Sequence, residues 1–583
     1  MSDSSAAEIE MRNRKSGPSP PIIVAVPVDE LSDMHIQETS RGFLTPVVWS
    51  ILACEAAERF AYFGFRAILV LYFKNALQLS ETTAIALFAY VASLAYFSPI
   101  IGALLADGSW GRYRTIIRFG SLYLVGLAIL TTAAFMHSNK DGTDSVGNEL
   151  SESELFQKRA TTFLGLFFVC IGTGGIKPCV SAFGADQVLA QAATTGHDPA
   201  HRGSHDDTTE HETDEGPSSN PEVQAFFAYF YFCINFGALT SIFLVPVLKA
   251  RYGFGYAFLA PTVFLFFALA AFLTRRKEYV HHVPGQRGSL GSMLWLCGLL
   301  LFQRIQKLYR PSQFGYRSIQ PSPPRLEQSS EWTAQQLQDA NRTLQILPVL
   351  SMLPIFWMLY DQQGSVWTLQ ASRMQLSFGI EPEQMNVINP VEIMLFIPLF
   401  DKITYPSIER LMGRPFVHLS RMAWGMLFCA IAFFVSGVLE SIIQDQETNG
   451  SVNSVSILWQ LPQITLLSIA EILLSVTGYD FCYSNSSTSC KALIMALYLM
   501  TTACGDFFAG ILYNGLFQDM NRATVMHVCG GLMILNLLLF LLVAKWWDQC
   551  QAQLRAGTLA SSDEVLTHQE EVMGARIKDS EVT

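Results

Sequence analysis

Glu55, Glu58, Arg59, Tyr62 and Arg66 follow one another at steps of three or four residues. On a helix that spacing sets them on one face. The other faces carry Ile51, Ala57, Phe60, Leu69 and Val70. Two carboxylates and one arginine in adjacent turns leave a surplus negative charge. A static ion-pair cluster that holds helices together is one reading. A carboxylate that takes up and gives back a proton is the other, and the surplus favours it. Three more ionisable residues stand alone in apolar runs: Lys177, Asp361 and Glu471. Lys177 follows Gly172, Gly174 and Gly175 in IGTGGIKP. No strand precedes that glycine run, so it is not a nucleotide loop. Lys177 needs an anionic partner: Glu471, a carboxylate of the Glu55–Glu58 stripe, or an anionic substrate. Asp361 sits in FWMLYDQQGSVWTLQ, with Trp357, Tyr360, Gln362, Gln363, Gly364 and Ser365 around it. So polar a patch reads as a cavity lining, a gate, or the exit of a helix into water near Gln370 and Arg373.

These residues need apolar elements to hold them. The chain has 583 residues, 50% hydrophobic and 12% aromatic, with 41 Phe. Charged residues are only 15%, against about 25% in a soluble domain. The apolar residues fall into roughly a dozen runs of about 20, the length that crosses a bilayer. An all-α polytopic membrane protein follows, and an ordinary soluble enzyme is excluded. A net charge of -11 argues against a nucleic-acid partner. The 11 cysteines lie mostly in apolar runs and form no CxxC, so neither a disulfide framework nor a metal site is expected. An ionisable residue inside a span costs about 2.5–3.5 kcal/mol on insertion scales, which marks it as functional. Seven stand out: Glu55, Glu58, Arg59, Arg66, Lys177, Asp361 and Glu471. The remaining spans are expected to carry almost none.

Spans begin near residues 45, 81, 113, 159, 223, 253, 343, 387, 417, 455, 490 and 524. Twelve spans put both termini on one side, and the distribution of Lys and Arg makes that side cytoplasmic. The expected division is a disordered cytoplasmic tail (1–44), a six-helix bundle (45–274), a linker with an interfacial helix (275–342), a second six-helix bundle (343–547) and a disordered cytoplasmic tail (548–583). An acidic, His-rich insertion at about 190–220 carries His197, His201, His205 and His211, and reads as a solvated linker. Asp107 before Gly111-Arg112 and Asp401 before Gly413-Arg414 form a weak echo between the halves. Asn449-Gly450-Ser451 is a glycosylation sequon in an extracytoplasmic loop. The amino-terminal stretch lacks the apolar core of a signal peptide.

At this point the motifs resemble the proton-dependent oligopeptide transporters, a branch of the major facilitator superfamily. The resemblance runs from about residue 45 to 545. It rests on Glu55-Ala-Ala-Glu58-Arg59 as ExxER, and on GALLADGSWGRYRT, GTGGIKPCVSAFGADQ and FYFCINFGALTS. DQQGSVWTLQ, QMNVINP and EILLSVTG are similar to the animal di- and tripeptide carriers. The resemblance implies proton coupling at Glu55, Glu58, Arg59 and Glu471. It implies a peptide carboxylate on Arg66 and Lys177, and the peptide's backbone and amino end on Asn235 and Asn389, with its ammonium on Glu471. Tyr62, Tyr72, Tyr96, Tyr231 and Trp357 would line the pocket. Arg66 with Asp361 and Lys177 with Glu471 would form gates.

The departures are specific. Where animal members place a His in span two, this chain has Ala89. The usual pocket Trp of span eleven is Tyr498, and a pocket Tyr of span one is Phe63. The large extracytoplasmic domain between spans nine and ten is reduced to about 438–455. The expectation is proton-coupled symport of di- and tripeptides by a functional monomer. No cofactor and no enzyme activity are expected. Both termini would be cytoplasmic, with the plasma membrane favoured. The alternatives are another small solute, such as nitrate or an amino acid, or a receptor or scaffold that has lost transport.

Overall fold

The computed structural model describes residues 45–136, 151–194, 221–281, 290–309, 332–377, 379–487 and 490–580. The first tail (1–44) and the core of the His-rich insertion (195–220) lie outside the described residues. Six long helices build the first half: α1 (Pro46–Leu71), α2 (Glu81–Leu105), α3 (Arg112–Phe135), α4 (Glu152–Thr194), α5 (Pro221–Tyr252) and α6 (Phe254–Thr274). Local chemistry sets their ends. Thr45 caps α1 through the Val48 amide, ahead of Pro46 in the first turn. Ser80 caps α2 through the Thr83 amide at 3.2 Å.

The linker helix α7 (Leu290–Tyr309) follows, and then the second half. It contains α8 (Ala334–Leu350), α9 (Leu353–Tyr360), α10 (Val366–Ala371), α11 (Ile388–Leu399), α12 (Tyr405–Met412), α13 (His418–Thr448), α14 (Leu461–Glu471), α15 (Thr477–Asn485), α16 (Lys491–Asn514) and α17 (Arg522–Ser580). The second half opens at Ala334, nine residues ahead of the expected 343, because Thr333 and Gln336 form a capping box.

Among the described residues, nine helices are long and apolar enough to cross a membrane, and ten if the bent pair α8 and α9–α10 is one span. Two of the twelve expected spans stand outside that set. α1 carries Glu55, Glu58, Arg59 and Arg66, and the stretch from α11 to α12 carries Glu392, Asp401, Lys402, Glu409 and Arg410. Charge, rather than length, keeps both out of that set. Phe232, Phe236, Phe243, Phe264, Phe266 and Phe267 are exposed on α5 and α6, as a lipid-facing surface requires.

The echo between the halves has a backbone counterpart. Asp107 and Asp401 each sit in a π-helical turn, Ala106–Trp110 and Phe400–Thr404. Each is followed by a glycine at positive φ, Gly111 at 75° and Gly413 at 64°. The GTGG run of α4 serves helix packing. A methyl added at Gly174 would strike Ser98 of α2, and one at Gly175 would strike Phe119 of α3.

α7 forms as expected. Its Met293, Leu296, Cys297 and Leu300 pack on Leu337, Ala340 and Leu344 of α8 and on Leu493 of α16. Trp295 and Phe302 face outward. The carboxyl-terminal stretch differs from expectation: α17 stays helical from the last span to Ser580. Residues 548–580 contain no proline and are rich in good helix formers.

Candidate functional site

The polar stripe of α1 faces inward, as its spacing requires. Arg59 bridges both carboxylates, donating Nε to Glu55 at 2.9 Å and meeting Glu58 at 2.6 Å. Thr173 of α4, inside the glycine run, donates its hydroxyl to Glu58 at 2.8 Å. Glu55 and Glu58 are buried. One buried guanidinium therefore faces two buried carboxylates, and the surplus negative charge inferred from the sequence stands in space.

One turn further along, Lys177 lies between two aromatic faces. Its Nζ is 3.8 Å from the Tyr62 ring centre and 4.6 Å from that of Tyr96. Among the described residues no carboxylate pairs with Lys177, neither Glu471 nor the α1 stripe. The ring quadrupoles stabilise the ammonium without neutralising it. It remains available to an anion.

Arg66 ends the stripe and meets Asp361 at 2.7 Å, with its guanidinium also 5.2 Å from the Phe88 ring centre. The expected pairing of Arg66 with Asp361 is present, and that of Lys177 with Glu471 is not made in this conformation.

On the second half, Glu471 accepts from Asn389 at 3.2 Å, and the Tyr360 hydroxyl donates to the Asn389 side-chain oxygen at 3.3 Å. Asn389 also donates to Ser468 at 3.1 Å. Trp357 stands edge-on to Tyr360 at 5.5 Å and to Tyr498 at 6.2 Å. Tyr498 is held by its own hydroxyl, which donates to the Ser475 carbonyl at 2.8 Å. The carboxylate of Glu471 thus has neutral donors and no described cation partner.

One sequence-based assignment is placed differently. Tyr72 is fully buried inside the first half, where its ring packs on Phe254 and Phe258 and its hydroxyl on Thr162 at 3.1 Å. It is a core residue, not a pocket wall. Asn235 donates to the Tyr231 carbonyl of its own helix at 2.9 Å.

The stretch after Asp361 does not exit into water. Gln370 is buried and donates to Glu440 at 3.0 Å. Arg373 grips the same carboxylate at 2.7 and 2.8 Å, and Gln460 and Gln463 both donate to Gln370 at 3.0 Å. Glu440, in the stretch of about 438–455 expected outside the membrane, and Asp506, in a span expected to carry almost no charge, are buried carboxylates. Both were visible as single acidic residues in apolar runs, the same signal that marks Asp361.

The halves are tied at one end. Besides Arg66–Asp361, Arg522 of α17 meets Glu81 of α2 at 2.8 Å, and Lys74 joins it at 3.1 Å. Lys249 of α5 meets Glu383 at 2.6 Å, and Gln384 donates to the Phe243 carbonyl at 3.0 Å. Burial raises the Glu383 carboxyl above its ordinary value of 4.5, although Lys249 pulls it down. Asn449 is exposed at the end of α13, and the next span begins only a few residues on, at Ile457.

Two charge-bearing helical halves, closed together at one end around a polar interior, define a polytopic membrane protein of the major facilitator type. The chain belongs to the POT family, whose PTR2 model matches residues 113–527. It is 34% identical over 405 residues to "Peptide transporter family 1" of Drosophila melanogaster, covering 67% of this chain and 47% of that one. It is 28% identical over 503 residues to "Protein NRT1/ PTR FAMILY 8.5" of Arabidopsis thaliana, covering 79% and 80%. The crystal structure of the POT family transporter PepTSo superposes with a TM-score of 0.65 at 25% identity, covering 86% of this chain and 98% of that one. The chain spans about half the length of the animal relatives it matches.

Proposed function

We propose that the protein carries di- and tripeptides together with protons by alternating access between its halves. The observation that carries the reading is the charge layout. Arg66 and the uncompensated Lys177 belong to the first half, and Glu471, with neutral donors around it, belongs to the second. A zwitterionic peptide has one charge for each side. Its carboxylate would lie toward Lys177 and Arg66, and its ammonium toward Glu471, so binding draws the halves together. Tyr62, Tyr96, Tyr231, Trp357 and Tyr498 supply apolar faces for the side chains.

Glu55, Glu58 and Glu471 are the proton carriers of this reading, and Arg59 is the partner released when a carboxylate is neutralised. The driving force suffices: about 1.4 kcal/mol per pH unit and about 2.3 kcal/mol per charge per 100 mV. The tied end, with Arg66–Asp361, is then the extracytoplasmic end, and the conformation opens to the cytoplasm. Both termini are cytoplasmic, the plasma membrane is the site of action, and one chain is the working unit. No bond is made or broken and no cofactor is needed. The likeness to the Arabidopsis relative supports a second reading, another small solute on the same carrier.

The test is uptake by liposomes containing the purified protein. A dipeptide enters faster with an inward proton gradient than without one. Failure of every small peptide in a panel overturns the reading, and uptake of another solute in its place selects the alternative.

A further inference from the structure

The tied end holds a cavity of about 420 Å³, and its walls include none of Arg66, Lys177 and Glu471. That size suits a small molecule, whose pockets run from about 300 to 1,000 Å³. Both halves build it: Glu81, Thr82 and Ile85 belong to α2, and the other walls belong to the second half. Ile85, Phe517, Val525 and Met526 are buried side chains that give it an apolar wall. Asn521 and Arg522 are exposed, so solvent reaches the cavity from their side.

Three charged residues line it, one carboxylate and two arginines. Glu81 already meets two cations, Lys74 at 3.1 Å and Arg522 at 2.8 Å, so that group carries one surplus positive charge. Arg522 spends Nη2 on Glu81, and its Nη1 and Nε have no partner among the described residues. Arg373 spends its terminal nitrogens on Glu440 and Glu447, two carboxylates that do not line the cavity, and its buried Nε has no acceptor. Asn521 uses its side-chain oxygen on the Ala523 amide at 2.9 Å, which leaves its NH2 as a donor. Arg522, Arg373 and Asn521 thus bring unused N–H donors to a cavity with an apolar wall. Unused donors call for acceptor oxygens, and the surplus charge calls for an anion. We propose that this cavity is a second ligand site for a small carboxylate with an apolar body, and that its occupant holds the halves together at the tied end.

The carboxylate lies toward Arg522 and Asn521, and the apolar body lies on Phe517, Val525, Met526 and Ile85. The site needs α2 as well as α17, so it exists only while Arg522 holds Glu81. A ligand that binds one of two conformations shifts the population toward it by its differential affinity. Bound from this side, the carboxylate keeps the outer end closed and slows uptake without entering the central site. The direction of that effect rests on the proposed transport, but the ligand site itself does not.

The probe is 4-phenylbutyrate, with 4-phenylbutanol as its uncharged counterpart. Calorimetric titration of the purified full chain shows the acid binding about tenfold more tightly than the alcohol. Arg522→Gln lowers the affinity for the acid about tenfold, and Lys177→Gln leaves it unchanged. Val525→Trp fills the cavity but keeps the Arg522–Glu81 tie, and it abolishes binding. No binding of the acid, equal binding of acid and alcohol, or full binding to Val525→Trp overturns the proposal. Loss of binding in Lys177→Gln also overturns it and assigns the acid to the central site. In liposomes, the acid lowers the maximal rate of dipeptide uptake without raising KM, and Val525→Trp is insensitive to it. A rise in KM alone overturns the closing role. If the wild type moves no peptide, the transport reading fails while the titration still decides the ligand site.

Discussion

Arg66 of α1 and Asp361 of the turn after α9 meet at 2.7 Å across the two halves, both largely buried. The pair joins elements that otherwise belong to separate bundles, and it sits beside the cavity charges rather than at the protein surface. Removing one partner leaves the other charge buried and alone, which costs about 3–5 kcal/mol. Asp361→Asn is therefore expected to lower thermal stability in detergent clearly. The exchange Arg66→Asp with Asp361→Arg should recover part of the loss. Equal stability of single and exchanged variants would show that the pair does not hold the halves.

Glu58 shares Arg59 with Glu55 and also accepts from Thr173, so its charge is bound to two helices at once. Glu58→Gln keeps the shape and removes the titration. Gradient-driven dipeptide uptake should be abolished while counterflow exchange continues. Loss of both to the same extent would assign Glu58 to folding rather than coupling.

Lys177 rests on the Tyr62 and Tyr96 rings without a described carboxylate partner. Its reserved charge is read as the seat of the peptide carboxylate. Lys177→Gln should weaken dipeptide binding about tenfold, a loss of about 1.4 kcal/mol. Binding of the same dipeptide as its carboxyl-terminal amide should change little. Competition assays with the two forms make the comparison, and an equal loss for both would remove the assignment.

Glu383 lies outside the spans and is held against Lys249 at 2.6 Å, yet burial keeps its carboxyl above 4.5. A carboxyl raised in the folded state favours folding while it is protonated. That contribution is full below the unfolded value and is lost as pH rises through the folded one. The wild type should therefore lose stability relative to Glu383→Gln as pH rises from about 4.5. Melting temperatures of both across that range check the sign, and parallel curves would refute it.

Much of this was legible before any coordinates. Steps of three and four placed Glu55, Glu58, Arg59, Tyr62 and Arg66 on one face, and the helix keeps them there. The π-helical turns at Asp107 and Asp401 give the weak echo between halves a physical form. What the sequence hid were contacts between distant segments. Nothing in IGTGGIKP says that Lys177 will lie on Tyr62 and Tyr96, because neither ring is near it in the chain. A helix leaving the membrane near Gln370 and Arg373 stayed one of three readings, because Glu440 lies 67 residues beyond Arg373. Asp506 is one acidic residue in an apolar run, and its burial follows only from the packing of α16 against α2 and α9. Tyr72 entered through the resemblance alone, and packing explains it better.

The central claim is that peptide and proton move together. It is tested most directly by following lumenal pH in liposomes that contain the protein while a neutral dipeptide is added outside. Dipeptide entry should acidify the lumen, and Glu58→Gln should abolish the acidification. Dipeptide accumulation with no change in lumenal pH would contradict the account.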